Sequence, residues 1–209
     1  MTTQAQNALL KTIEEPPVGV YLILLSDSLE TILDTIQSRC QVYKLTPLSK
    51  EEILEYIETN FPDIESNDRH AALAFSTGIP GKIDKFINDQ KLKELRNTCV
   101  ELFSDILKRE HGLVLKYQEL LKNFKDEKYD LLDILILFIR DIMVFKELNN
   151  KELVVNFDKI DNIIDISMGI TYKKLNSMLE YIKEARINFN SNTNYSMTVS
   201  VMLMGFAEV

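Results

Sequence analysis

Two spacings of apolar residues divide this chain. Val20-Tyr21-Leu22-Ile23-Leu24-Leu25 is an unbroken run between Gly19 and Ser26. Continuous hydrophobicity predicts a strand buried on both faces, as in the centre of a parallel sheet. Before it, Ala5, Ala8, Leu9 and Ile13 recur at helical spacing until Pro16-Pro17 ends that helix. After it come a short helical turn around Thr31 to Ile36 and a second strand at Gln41–Leu45. Helix, strand, short helix, strand is only part of an α/β layer, which needs more strands and helices on both faces. The segment is therefore expected to be a fragment of a longer α/β domain, or to pair with another chain.

From Pro47 the spacing turns to three and four. Ser49 with Glu52 forms a capping-box pattern ahead of Ile53, Leu54 and Ile57. A second helix runs near Asp68–Ser76 to Gly78, and Pro80-Gly81 opens a third through Ile83, Phe86 and Ile87. Longer stripes follow over Leu95–Arg109, Leu113–Phe124, Tyr129–Leu148, Asp158–Ile166, Tyr172–Asn188 and Met197–Phe206, with Asn149-Asn150 as a turn. In the third of these, Leu131, Leu132, Leu135, Phe138, Ile139, Ile142 and Met143 cover an arc wide enough to pack on more than one neighbour. The expected fold is mainly α: an α/β remnant over 1–45, a small three-helix lid-like domain over 46–92, and a helical bundle over 93–209.

Composition narrows the functions. The formal charge is −8 over 209 residues, and none of the three segments is basic, which argues against a free-standing nucleic-acid binder. The two cysteines, Cys40 and Cys99, make no disulfide framework. No apolar run approaches the ~20 residues of a bilayer span, so the expected location is the cytoplasm. His70 and His111 lack metal-ligand spacing, and no GxxxxGK[ST] phosphate loop, magnesium-binding acidic cluster or nucleophile elbow is present. The pairs Glu14-Glu15 and Glu51-Glu52 fit a helix end and a first helical turn better than acid–base chemistry. The chain lacks the parts of a self-contained enzyme.

One combination is specific. Asn7-Ala8-Leu9-Leu10-Lys11, then Glu14-Glu15-Pro16-Pro17, then Thr35-Ile36-Gln37-Ser38-Arg39-Cys40-Gln41 resembles the signature of clamp-loader ATPase domains of the AAA+ class. Leu45-Thr46-Pro47-Leu48-Ser49 is similar to that family's entry into its lid. Gly78-Ile79-Pro80-Gly81-Lys82 resembles the lid's GxPGxA turn with Ile83 in place of alanine, and Asn188-Phe189-Asn190 is similar to the approach to the last collar helix. Within the family the chain looks most like delta-prime subunits of bacterial DNA polymerase III, with gamma/tau subunits the close competitor.

The resemblance implies that nucleotide-binding strands lie upstream of Met1, so that Met1 is an internal residue of a longer protein. It makes Arg39, with Ser38, an arginine finger acting in trans on ATP held by the adjacent subunit. From pattern alone, Arg39 reads as a solvated arginine at a helix end. Ser26 falls at the family's sensor-one position and Lys82 near the second sensor; by itself Lys82 reads as solvated. No cofactor is expected on this chain. The implied partners are the gamma/tau and delta subunits and, indirectly, the sliding clamp and primer-template DNA. Met197, Val201, Met202 and Met204 are interface candidates in the collar, and Lys108-Arg109 and Lys173-Lys174 are candidates for DNA contact. Three functions stay open: a non-catalytic subunit supplying Arg39 in trans, a gamma/tau-type motor whose phosphate loop lies upstream, and a plain helical adaptor.

Overall fold

The computed structural model describes all residues except Asp27, Asn192 and Val209, together with the backbone but not the side chain of Glu208. The mainly α expectation holds: helices dominate, and the chain separates into two compact units, Met1–Thr46 and Pro47–Val209.

In the first unit, α1 (Thr3–Glu14) is capped by the Thr2 hydroxyl, which accepts from Ala5 N at 3.2 Å. A 3-10 turn at Leu29–Thr31 precedes α2 (Asp34–Gln37). The two expected strands are not formed; among the described residues no strand occurs. Val20–Leu25 has no regular secondary structure, and its side chains are exposed, Tyr21 at 92%, Ile23 at 83% and Leu25 at 89%. Strand hydrogen bonds belong to pairs of segments, and nothing here supplies the second segment.

The second unit starts with α3 (Lys50–Asn60), whose capping box is complete: Glu52 N donates to Ser49 Oγ and Ser49 N to Glu52 Oε2. Then come α4 (Ser66–Ser76) and α5 (Pro80–Asn88). Between them Gly78 sits at φ +83°, where a Cβ would lie 2.6 Å from Pro47 Cβ and 2.7 Å from the Leu48 carbonyl. The close approach lets Gly78 O accept from Leu48 N at 2.8 Å, so both the conformation and the space require glycine.

Six further helices complete this unit: α6 (Gln90–Lys108), α7 (Leu113–Leu121), α8 (Lys128–Leu148), α9 (Ile160–Gly169), α10 (Tyr172–Asn190) and α11 (Tyr195–Glu208). Asn149 ends α8 in the left-handed region at φ 47°, as its short polar side chain allows. One apolar core runs from Ile53 and Ile57 of α3 through α8 to Phe206 of α11. Helices α10 and α11 pack closely because Gly205 leaves room for the Tyr181 ring, which a Cβ would meet at 2.3 Å.

Ionic contacts fix how α5 lies on α8. Lys82 reaches Asp133 at 2.8 Å and Lys85 reaches Asp130 at 2.5 Å, an antiparallel ladder of i, i+3 pairs. Arg186 of α10 also donates to Asp133, at 2.5 Å. Burial alone would raise the Asp133 pKa, but hydrogen bonds from Lys82 and Arg186 outweigh it and hold the carboxyl below its ordinary 3.8. A group with a depressed folded pKa contributes stability that is present above its unfolded value and lost as pH falls through the folded one. Asp133→Asn, which removes the negative charge facing two cations, is expected to lower stability at neutral pH by about 1–3 kcal/mol. The difference from wild type should shrink below about pH 4; denaturant unfolding at several pH values measures both effects.

Candidate functional site

Arg39 follows the short helix α2, and that helix is placed by glutamines. Gln6 of α1 is 3% exposed. Its amide donates to Thr31 O at 2.8 Å, and its carbonyl accepts from Leu33 N at 2.8 Å. Gln37 donates to Leu29 O at 2.9 Å and to Ile32 O at 2.7 Å. Ile36, 1% exposed, is the apolar anchor of the same turn. A segment with few buried side chains is thus held by side-chain amides that replace missing backbone partners.

The Arg39 side chain leaves this turn at the surface, 40% exposed. Its Nε lies 2.7 Å from Glu14 Oε1 at the end of α1. Nη1 donates to Thr35 O at 2.8 Å and more weakly to Ser38 Oγ at 3.4 Å. No acceptor for Nη2 occurs among the described residues. The guanidinium is therefore held through Nε and Nη1, with Nη2 left for a further acceptor. Glu14 is itself 48% exposed, and exposed pairs of this kind contribute only ~0.2–1 kcal/mol. A polyphosphate presented to Nη2 offers more charge and more acceptors than Glu14 does.

The other sequence-derived candidates are dispersed. Ser38 is exposed beside Arg39 and donates to Thr35 O at 3.2 Å. Ser26 is tied into a local turn, donating to Ser28 O at 2.8 Å and meeting the Thr31 hydroxyl at 2.8 Å. Lys82 is engaged with Asp133 and is not a free solvated lysine. On α11, Met197, Val201 and Met204 are 70%, 45% and 50% exposed and share a face at spacings of four and three. Met202 is different: at 1% exposure it belongs to the bundle core, because its position turns it to the opposite side of the helix. Of the basic pairs, Lys108, Arg109 and Lys173 are exposed and Lys174 is buried. Cys99 is buried, which pushes its thiol pKa far up, and Cys40 is half-buried. Among the described residues no cluster of His, Cys, Asp or Glu is placed to hold a metal ion, and no helix is long and apolar enough to cross a membrane.

Two features escaped the sequence pattern. Gln6 carries no signal beyond its place just before the Asn7–Lys11 motif. The Glu14–Arg39 pair joins residues far apart in sequence, and Glu14 by itself suggests only a helix end.

Comparison with known proteins bears on this arrangement. The family described as DNA polymerase III, delta subunit, C terminal matches residues 89–207, more than half of the chain. The chain belongs to the DNA polymerase III delta subunit family. A second description in the family, DNA polymerase III, delta subunit, matches residues 1–49, the segment holding Arg39. DNA polymerase III subunit delta' of Bacillus subtilis is 24% identical over 197 residues, 93% of this chain and 59% of that protein. The delta' subunit of Haemophilus influenzae is 29% identical over 171 residues, 81% of this chain and 48% of that protein. A subunit gamma from Buchnera aphidicola subsp. Schizaphis graminum is 48% identical over 52 residues, 25% of this chain and 14% of that protein. The chain spans about half the length of the delta' relatives it matches. Within the family it is delta-prime-like, with gamma subunits also among its relatives.

The glutamine tie gives a direct test of how Arg39 is positioned. Gln6→Leu keeps the bulk but strips partners from Thr31 O and Leu33 N, a loss of about 1–3 kcal/mol. Amide exchange over residues 29–39 is expected to accelerate in the variant, while exchange in α8 stays as in wild type.

Proposed function

We propose that the chain is part of a delta-prime-type subunit of the DNA polymerase III clamp loader, acting in DNA replication. In this reading the subunit is non-catalytic. It presents Arg39 to ATP held by a neighbouring gamma/tau subunit and contributes α11 to the collar that joins the loader's subunits. Sliding clamp and primer-template DNA are engaged through the assembled loader.

The observation that carries the reading is the half-free guanidinium of Arg39 within the segment matched by the family. Charge on a transferring phosphoryl group spreads over its oxygens, and an arginine supplied in trans answers it with several donors and an invariant charge. Such arginines contribute ~10³–10⁵ in rate in other phosphoryl-transfer systems. Met197, Val201 and Met204 support the collar role, since adaptable apolar side chains left exposed suit an interface between helices. The Val20–Leu25 run supports a further part: its exposed apolar side chains fit a strand of a sheet whose other strands come from additional polypeptide.

The gamma relatives favour a second reading, a motor subunit whose own phosphate loop lies in sequence beyond this chain. Expression of the intact subunit and a nucleotide-binding measurement on it alone separate the two: a motor binds ATP by itself.

The test of the first reading is Arg39→Ala in the intact subunit, reconstituted with its partner subunits. Unfolding of the variant is expected to match wild type within about 1 kcal/mol, because only exposed contacts are lost. DNA-stimulated ATP hydrolysis at the facing site and clamp loading are expected to collapse. Wild-type loading by the variant removes Arg39 from the mechanism.

A further inference from the structure

The Arg39 guanidinium has polar contacts of two kinds. Thr35 O and Ser38 Oγ belong to its own turn and accept from Nη1 at 2.8 and 3.4 Å. They travel with that turn. Glu14 does not: its carboxylate, 2.7 Å from Nε, comes from α1. Among the described residues it is the one polar contact that the guanidinium makes with another element.

Local sequence sets where this carboxylate stands. A proline disfavours helical backbone in the residue before it. Pro16 therefore stops α1 at Glu14, and Glu15, at φ −129° and ψ 70°, already lies outside the helix. Glu14 is the last helical residue, beside the C-terminal carbonyls of α1, whose partial negative charge also favours a cation. The same helix carries Gln6, which bonds to Thr31 O and Leu33 N and so braces the segment leading into α2. Carboxylate and guanidinium thus stand on two elements already tied to each other, and their pair governs the orientation of a side chain more than the position of a helix.

A guanidinium is planar, with its donors in a fixed fork. Anchored at Nη1 alone, the plane can swivel about that hydrogen bond and carry Nη2 through a range of directions. A second anchor at Nε, in the same plane, removes the swivel. Glu14 and Thr35 together then set where Nη2 points. The adjacent carboxylate, Glu15, is exposed and makes no ion pair among the described residues. Position as well as charge selects Glu14.

We propose that Glu14 is a positioning residue for Arg39: without touching substrate, it holds the guanidinium plane so that Nη2 faces the phosphoryl group. This role presupposes the donation by Arg39 in trans proposed above. The gain is small, because an exposed pair is only modestly favoured over its alternatives. It also runs against simple electrostatics. A carboxylate near a polyphosphate repels it, so charge alone predicts faster turnover when Glu14 is removed, whereas positioning predicts slower turnover.

The experiment is steady-state ATP hydrolysis by the reconstituted loader containing intact subunit variants. Glu14→Ala is expected to lower kcat by about two- to fivefold, the factor an exposed pair supplies, with KM for ATP unchanged or lower. Glu14→Gln, which keeps an oxygen acceptor for Nε and drops the charge, is expected to recover most of that loss. Glu15→Gln, the same charge change one residue on, is expected to match wild type. Nitrogen NMR of the intact subunit reads the pair directly: the Arg39 Nε–H is expected to exchange with solvent faster in Glu14→Ala than in wild type. A kcat in Glu14→Ala at or above wild type, with Arg39→Ala inactive, overturns the positioning role and leaves the trans arginine standing. Equal Nε–H exchange in Glu14→Ala and wild type overturns it too. Wild-type kcat in Arg39→Ala is a distinct result, which removes the trans arginine and the role of Glu14 with it.

Discussion

The second unit depends on α8 burying an apolar face about half its circumference wide. Leu131, Leu132, Ile134, Leu135, Phe138, Ile139, Ile142 and Phe145 are each 8% exposed or less, and burying a side chain of this kind contributes ~1.5–3 kcal/mol. Polar groups at the edge of or within that face must be matched. Asp130 and Asp133 receive the lysines of α5. Asp141, fully buried, accepts from Val155 N, Asn156 N and the Asn156 amide, and Arg140 beside it reaches both Asp141 and the Leu153 carbonyl. Asn156 then accepts from Arg96 of α6 at 2.9 Å. Three acids on one apolar helix thus set the positions of a neighbouring helix and of the irregular segment at 153–156.

The first unit is built on the opposite plan. Little apolar surface is buried there, and order comes from local hydrogen bonds around Gln6, Gln37 and the 3-10 turn. Such a scaffold fixes the turn that carries Arg39 without enclosing the guanidinium. Glu14 restrains the arginine from an exposed position, where such a pair contributes little.

How much of this the sequence revealed depends on where each interaction is encoded. Helices of the second unit were legible because their apolar spacing, the Ser49 cap and the Pro80 start are local; the observed ends differ from the expected ones by a few residues. The strands at Val20–Leu25 and Gln41–Leu45 were misread as formed elements, because a strand's bonds lie in its neighbours and not in itself. The motif singles out Arg39 as a candidate, whereas Gln6 and the acid partners of Lys82 and Lys85 carry no such signal. Lys82-x-x-Lys85 and Asp130-x-x-Asp133 hold complementary spacing that becomes meaningful only once α5 is known to cross α8. Lys174 reads as one of a solvated pair, and only burial separates it from Lys173.

Helix α11 serves two environments with adjacent residues, Val201 facing outward and Met202 inward. Each position along an α-helix is rotated by about 100° from the one before. A single residue inserted just ahead of Met197 would therefore swing the whole register by that angle, driving outward-facing methionines toward the Tyr181 ring and bringing core side chains into water. Length within this last stretch is consequently constrained more tightly than side-chain identity: methionine for leucine is a small perturbation, and one added amino acid is not.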